Sequence, residues 1–164
     1  MTSAELNKQL RKLQSERVQI LERENQTCRF IAATTEDPEE VRPEYDLSAT
    51  DAALAENEQE IRRIKHRLNV FNSTHRIEEL GMTIDEVLVF LPQLSDRVKR
   101  LGRLAKCTSK TRLGDPYGNR SSLIEYQYAN YSLAEAQRLY DQAQNELARA
   151  QIALDRVNTT VDIP

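Results

Sequence analysis

The chain has 164 residues, of which 39% are hydrophobic, 30% charged and 5% aromatic, and its formal net charge is −3. This length predicts a single domain, and this composition predicts long helices that have wide solvated faces and share a thin core. The sequence contains neither the roughly 20 consecutive apolar residues of a membrane span nor a signal peptide, and its two cysteines form no disulfide framework, so we expect a cytoplasmic protein with reduced thiols.

The first helix is predicted to begin at a cap of Thr2 or Ser3 and to extend to about Ala33. Its expected apolar face consists of Leu6, Leu10, Leu13, Val18, Leu21, Cys28 and Ile31. Two prolines predict a loop from residue 34 to residue 47, because proline disrupts a regular helix. The acidic residues of this loop lack the ligand alternation and the turn glycine of a calcium site, so we predict no metal there.

A second helix is predicted from a cap at Ser48 or Thr50 to about Phe71, so that residues 2–71 form a helical hairpin. The apolar positions of this helix follow helical spacing and are Leu54, Ile61, Ile64, Leu68 and Phe71. Asn57 falls in the gap of this row, where a polar residue can fix the register between two helices at some loss of stability.

The third helix is predicted over residues 83–107 and opens with a capping box formed by Thr83 and Glu86. Its apolar row is Ile84, Val87, Leu91, Leu94, Val98, Leu101 and Ala105. Pro92 interrupts the backbone hydrogen bonds of this helix, so we expect either a kink there or a break into two helices at Leu91.

A small β appendage is predicted over residues 108–131, because Tyr126 and Tyr128 alternate with polar residues at strand spacing. Tyrosines at this spacing favour a half-buried pleated surface. The expected partner strand is residues 110–113, and residues 76–80 are a further candidate. A two-stranded sheet is marginal alone, so Tyr126 and Tyr128 form a candidate interface with a helix or with another subunit.

The last helix is predicted over residues 132–158, with Ser132 as its cap and Glu135 completing a capping box. It carries an unbroken heptad row, in which alanine at every seventh position permits close approach of a neighbouring helix. A helix this apolar on one face is not stable alone. We therefore predict a packing or oligomer seam formed by Ala136, Tyr140, Ala143, Leu147, Ala150 and Leu154.

The charges are unevenly distributed, with 7 basic and 14 acidic residues in 1–60, against 12 and 5 in 61–112. Residues 97–112, which we call the basic strip, contain seven basic residues and no acidic residue. Its candidate anion-binding residues are Arg97, Arg100, Arg103 and Lys106. The first interpretation is a face that docks on the acidic first helix or on a second subunit. The alternative is a phosphate or nucleic-acid surface, directed at the backbone because the strip contains no aromatic residue.

The residue types needed for catalysis or metal binding occur in no recognisable arrangement. His66 and His75 lack the spacing of metal ligands, and Cys107 lies at a helix C-terminus, where the dipole disfavours a thiolate. We therefore predict that the protein is not an enzyme and has no catalytic residue, metal or cofactor.

Several dispersed but collinear residues resemble a family of small, uncharacterised helical bacterial proteins, some of them labelled septicolysin-like. They are the acidic segment 36–40, Asn72, Thr74, Thr83, Glu86, Leu88, Leu101, Leu104, Ala105, Tyr126, Asn158, Thr160 and Asp162. The sequence departs from the family at residues 90–92, where a charged triplet is replaced by Phe-Leu-Pro, and at Thr159, which replaces a tryptophan. The resemblance implies an α-helical fold and self-association, and it implies no known activity.

The sequence as a whole predicts a mainly α protein with one domain over residues 1–164: a four-helix antiparallel bundle or coiled coil with a small β-hairpin appendage. The predicted function is that of a non-enzymatic structural or interaction protein that forms a homo-oligomer. The alternative is a phosphate- or nucleic-acid-binding protein that uses the basic strip.

Overall fold

The computed structural model describes residues 1–114 and 124–164, so the middle of the predicted β appendage, residues 115–123, lies outside the described residues. The described chain is mainly helical with two small antiparallel sheets, which confirms the predicted fold class at this level. It divides into two units, Met1–His75 together with Arg156–Pro164, and Arg76–Asp155. The single domain inferred from the chain length stays a prediction.

The first unit contains α1 (Ser3–Thr27), the one-turn α2 (Pro38–Val41) and α3 (Leu47–Thr74). The second unit contains β1 (Arg76–Ile77), β2 (Met82–Thr83), α4 (Ile84–Ala105), β3 (Lys110–Arg112), β4 (Tyr126–Tyr128) and α5 (Leu133–Thr160), whose last turn belongs to the first unit. None of the helices in the described ranges has both the length and the apolar composition needed to cross a membrane.

The helices α1 and α3 run antiparallel and are connected by two polar contacts near their midpoints. The Arg17 guanidinium donates a 2.8 Å hydrogen bond to the Glu58 carboxylate, and the Asn57 amide donates a 3.1 Å hydrogen bond to the carbonyl oxygen of Leu13. The buried side chains of this unit lie outside residues 7–56 and include Leu6, Ile64, Leu68, Phe71 and Ile163. The core of the first unit is therefore concentrated at one end of the helix pair.

The C-terminal segment is attached to that same end. The backbone amide of Ile163 donates to the carbonyl oxygen of Met1 at 2.8 Å, and the Met1 amine forms a 2.7 Å ion pair with Asp162. Arg67 on α3 donates to the carbonyl oxygens of Ile163 and Pro164 at 3.2 and 3.0 Å. Both ends of the described chain thus lie together near the C-terminal part of α3, at the end of the helix pair where the core of the first unit is concentrated.

The predicted extension of helix 1 to Ala33 is wrong, because α1 ends at Thr27. A helix is stabilised mainly by burial of its apolar face, and Ile31, which was expected on that face, is 96% exposed. The side chain of Glu36 accepts a 2.8 Å hydrogen bond from the Ala33 amide, which stabilises a local turn instead.

The segment predicted as a loop contains the short helix α2, which the sequence interpretation missed. Proline at the first helical position is favourable, and Asp37 caps the helix by accepting a 2.9 Å hydrogen bond from the Glu39 amide. The next helix begins at Leu47, with Asp46 rather than Ser48 or Thr50 as its cap, and ends at Thr74.

The predicted capping box of the third helix is confirmed. Thr83 accepts a hydrogen bond from the Glu86 amide at 3.3 Å, and the Glu86 carboxylate accepts one from the Thr83 amide at 2.7 Å. Because these bonds favour the ionised carboxylate, the pKa of Glu86 is lowered. The predicted break at Leu91 is wrong, since α4 continues through Pro92, which lies on an exposed face where water can bond the freed carbonyl group.

The helices α4 and α5 also run antiparallel. A Cβ atom at Gly102 would lie 3.0 Å from the Tyr140 ring, and Arg97 forms a 3.3 Å ion pair with Glu146. At the start of α5, Ser132 accepts a hydrogen bond from the Glu135 amide at 3.3 Å, as expected of its cap. This helix ends at Thr160, two residues beyond the predicted end.

The two strand segments that were candidate partners of the tyrosine strand lie in different sheets. The strand β3 pairs with β4, so the partner expected for the tyrosine strand is confirmed. The further candidate, residues 76–80, is wrong, because β1 pairs with β2 across a turn in which Gly81 adopts a φ of +66°. Tyr126 and Tyr128 are exposed rather than half-buried, since the strands in this sheet carry no buried side chain.

Candidate functional site

A groove of about 1080 Å³ lies between α1 and α3 in the first unit. Its apolar lining consists of Leu13, Ile20, Ala49 and Ala53. Six acidic side chains line it, namely Glu16, Glu24, Glu44, Asp46, Glu56 and Glu60, against two basic ones, Arg23 and Arg63. We call this surface the acidic groove. Its formal charge of −4 makes it complementary to a cationic partner.

Two residues that line the acidic groove connect the loop between α2 and α3 to α1. The Tyr45 hydroxyl donates a 2.7 Å hydrogen bond to the Glu24 carboxylate. This bond, with smaller effects of burial and of neighbouring negative charge, raises the pKa of Tyr45 from its ordinary value of 10.0 to about 12. Periodicity in the sequence could not identify the contact, because its two residues are 21 positions apart and Tyr45 lies outside any helix.

The contact makes a prediction for alkaline titration. We expect one of the six tyrosines to ionise with a pKa of about 12, and we expect Tyr45→Phe to remove that step from the absorbance titration. The neutral phenol makes the bond, so its contribution to stability is complete below pH 10.0 and is lost as the pH rises towards 12. Glu24→Gln should shift the step towards 10.0, whereas the exposed Tyr128→Phe should leave it in place.

Asn57 lines the floor of the acidic groove and is buried. Its amide nitrogen donates to the carbonyl oxygen of Leu13, whereas its Oδ1 atom accepts no hydrogen bond from any described residue. The amide therefore ties one level of α3 to one level of α1, in the position that the sequence assigned to a register-fixing residue. A buried acceptor without a partner carries a desolvation penalty, which agrees with the loss of stability expected for such a residue.

The candidate anion-binding residues of the basic strip differ in whether they form an ion pair. Arg97 is paired with Glu146, whereas Arg100, Arg103 and Lys106 are exposed and form no ion pair with any residue in the described ranges. Arg100 and Arg103 lie on α4, and Lys106 is its C-cap residue with near-helical backbone angles, so these three side chains, spaced three residues apart, project from the same side of the helix. We call them the unpaired α4 cations. The structure thus leaves three positive charges available to a partner.

The paired strands β3 and β4 place two cations and two aromatic rings on one face. Lys110 lies opposite Tyr128, and Arg112 lies opposite Tyr126, so all four side chains point to the same side of the sheet. The Lys110 ammonium lies 4.0 Å from the centroid of the Tyr126 ring and 5.4 Å from that of Tyr128. The basic strip itself contains no aromatic residue, and strand pairing brings Tyr126 and Tyr128 beside it from outside.

The predicted seam lies along the covered side of α5. Ala136, Ala143, Ala150 and Leu154 are buried, and Tyr140 and Leu147 are half-buried. The four buried side chains are covered within one chain, whereas Tyr140 and Leu147 keep part of their surface exposed. The use of this row as an oligomer seam stays a prediction.

The histidines and cysteines are not brought together. His66 is exposed, and the His75 ring stacks on Phe71 with 4.7 Å between centroids. Cys28 and Cys107 are free and exposed. Among the described residues, no three His, Cys, Asp or Glu side chains are grouped closely enough to hold a metal ion. The absence of enzyme activity and of a cofactor stays a prediction.

Comparison with known proteins gives a match to the fold alone. No family model matches the chain, and no curated protein matches it significantly. Among solved structures, the chain is similar to a functionally unknown conserved protein from Corynebacterium diphtheriae, with 20% identity and a TM-score of 0.60 over 100% of this chain and 99% of that one. The resemblance to the septicolysin-like family stays a prediction.

Proposed function

We propose that this chain is a non-enzymatic helical interaction protein that self-associates. The observation that carries the proposal is that no side chain between residues 7 and 56 is buried. This stretch covers most of α1 and the first part of α3, which pack on each other with half-exposed apolar rows. Helices gain most of their stability from covering such rows, so another surface would stabilise this hairpin.

Exposed apolar side chains on the same hairpin support the proposal. Val18 and Leu47 are both exposed, and Leu10, Ile20 and Leu21 are only half-buried. A second copy of the chain is the simplest partner, since most oligomers of soluble proteins are built from identical chains.

The finer architecture belongs to the same proposal. A four-helix antiparallel bundle is supported by the two antiparallel helix pairs, α1 with α3 and α4 with α5. A cytoplasmic location is supported by the two exposed, unpaired cysteines, which are usual in a reducing compartment. Membership of the septicolysin-like family is supported by the collinear residues described above.

Sedimentation velocity tests the proposal directly. We expect the protein at micromolar concentration to sediment with a mass above the 18.9 kDa of a single chain, and the share of the larger species should rise with concentration. A single species of 18.9 kDa over the whole concentration range would contradict self-association.

The exposed face formed by Lys110, Arg112, Tyr126 and Tyr128 favours a second candidate function, the binding of single-stranded nucleic acid. Cations attract the phosphate backbone, and tyrosine rings stack on bases. The double variant Tyr126→Ala and Tyr128→Ala should weaken binding of an oligonucleotide by about tenfold or more, as expected for the loss of base stacking.

The opposite face of the same sheet provides the control. Thr111→Ala with Gln127→Ala should leave oligonucleotide affinity unchanged, because both side chains point away from the tyrosines. Binding measured by fluorescence anisotropy should also weaken steeply with salt. A loss of less than about tenfold between roughly 50 and 200 mM salt would argue against a mode based on several phosphate contacts.

A further inference from the structure

We infer that the acidic groove of one copy receives the unpaired α4 cations of a second copy. This inference rests on the proposed self-association and specifies its contact. The acidic groove and the unpaired α4 cations are two different surfaces of the same chain, so the contact is heterologous, and each copy offers one of each surface.

Charge decides between the possible contacts of the acidic groove. Two such grooves that faced each other would bring two surfaces of formal charge −4 together, which like-charge repulsion disfavours. The unpaired α4 cations carry the opposite charge and have no acidic partner among the described residues. A contact between the groove and these cations would therefore neutralise charge on both surfaces, including that of Glu44 and Glu56, which form no ion pair with described residues.

The spacing of the charges is also compatible. Glu16 and Glu24 on α1 are eight positions apart, which corresponds to about 12 Å, since a helix rises about 1.5 Å per residue. Glu56 and Glu60 on α3 line the groove together with Glu16. The unpaired α4 cations extend over about 9 Å of helix from Arg100 to Lys106. Their row therefore fits within the length over which carboxylates line the groove.

The apolar lining of the groove suits the same side chains. Leu13, Ile20 and Ala53 line it together with the carboxylates. Arginine and lysine have long methylene stems that cover apolar surface while their charged ends reach the rim. The contact would therefore cover part of the half-exposed row on α1 that supports the proposed self-association.

Two charge-reversal variants test the contact, each with a matched control. The strip variant is Arg100→Glu with Arg103→Glu, and its control is Arg62→Glu with Lys65→Glu, which reverses two exposed charges outside the groove. The groove variant is Glu44→Arg with Glu56→Arg, at two side chains that form no ion pair with described residues, and its control is Glu22→Arg with Asp51→Arg.

Sedimentation velocity should show that each test variant alone associates at least about tenfold more weakly than the wild type, because the strip variant brings negative charge to the acidic groove and the groove variant's formal charge falls from −4 to 0. The controls should associate normally. A 1:1 mixture of the strip variant and the groove variant should regain association, because the unaltered groove of the strip variant then meets the unaltered cations of the groove variant. Circular dichroism checks that each variant is folded. If the strip variant does not fold, Arg100→Gln with Arg103→Gln takes its place.

The outcomes separate the inference from the proposed function. A wild type that is monomeric at all concentrations would overturn both. A wild type that associates, with test variants that associate equally well, would overturn the inference and leave self-association standing. Failure of the mixture to regain association would also overturn it. The inference would also be overturned by a strip variant that still sediments as an oligomer but no longer binds an oligonucleotide, since the strip would then be a nucleic-acid surface.

Discussion

Replacing Leu94 by alanine is expected to lower the free energy of unfolding by about 3 kcal/mol, within the range of 2 to 5 measured for buried leucines. Leu94 is 2% exposed and lies in the apolar row of α4, between the buried residues Val87 and Leu101. Removal of its side chain loses the transfer free energy of three carbon atoms. It also leaves a cavity that the rigid surroundings fill only in part.

The same helix provides a control with the same chemical change. Leu88 is 46% exposed, so Leu88→Ala is expected to lower stability by less than about 1 kcal/mol. Urea denaturation followed by far-UV circular dichroism measures both variants, and an unchanged slope with denaturant shows that stability alone has changed. Equal losses in the two variants would mean that the row containing Leu94 is not the covered side of α4.

The helical rows of the second unit could be predicted because each has one covered face. Apolar residues that recur every three or four positions identify the covered face. Leu94, Leu101 and Ala143 belong to such rows, and all three are buried. The Thr83 cap could be predicted equally well, since a capping box needs only residues that are three positions apart. Local chemistry determined these features, so the sequence contained enough information to identify them.

The errors occurred where a residue depends on something distant in sequence. Ile31 continues the apolar row of α1, but the sequence does not show that nothing covers it there. The hydrogen bond from Tyr45 to Glu24 and the position of Lys110 beside Tyr126 likewise depend on the fold and not on local spacing. The acidic groove itself could be anticipated only as an excess of acidic residues in the first part of the chain.

Replacing Ala143 by leucine is expected to lower the free energy of unfolding by about 2 kcal/mol, as is typical for a core that receives extra carbon atoms. Ala143 is 0% exposed and lies on α5 between Tyr140, which contacts Gly102, and Glu146, which pairs with Arg97. A larger side chain at this level must separate α4 from α5 or adopt a strained rotamer. The exposed Ala148→Leu on the same helix should change stability by no more than about 0.5 kcal/mol.

The dependence of stability on protein concentration distinguishes a seam that packs within one chain from a seam between two copies. If the row containing Ala143 packs within one chain, the loss in Ala143→Leu is the same at low and high protein concentration. If a second copy covered the row, the unfolding temperature of the wild type would rise with concentration and that of the variant would not. Thermal unfolding at roughly 2 and 200 μM measures this difference, and the burial of Ala143 in the single chain leads us to expect the first result.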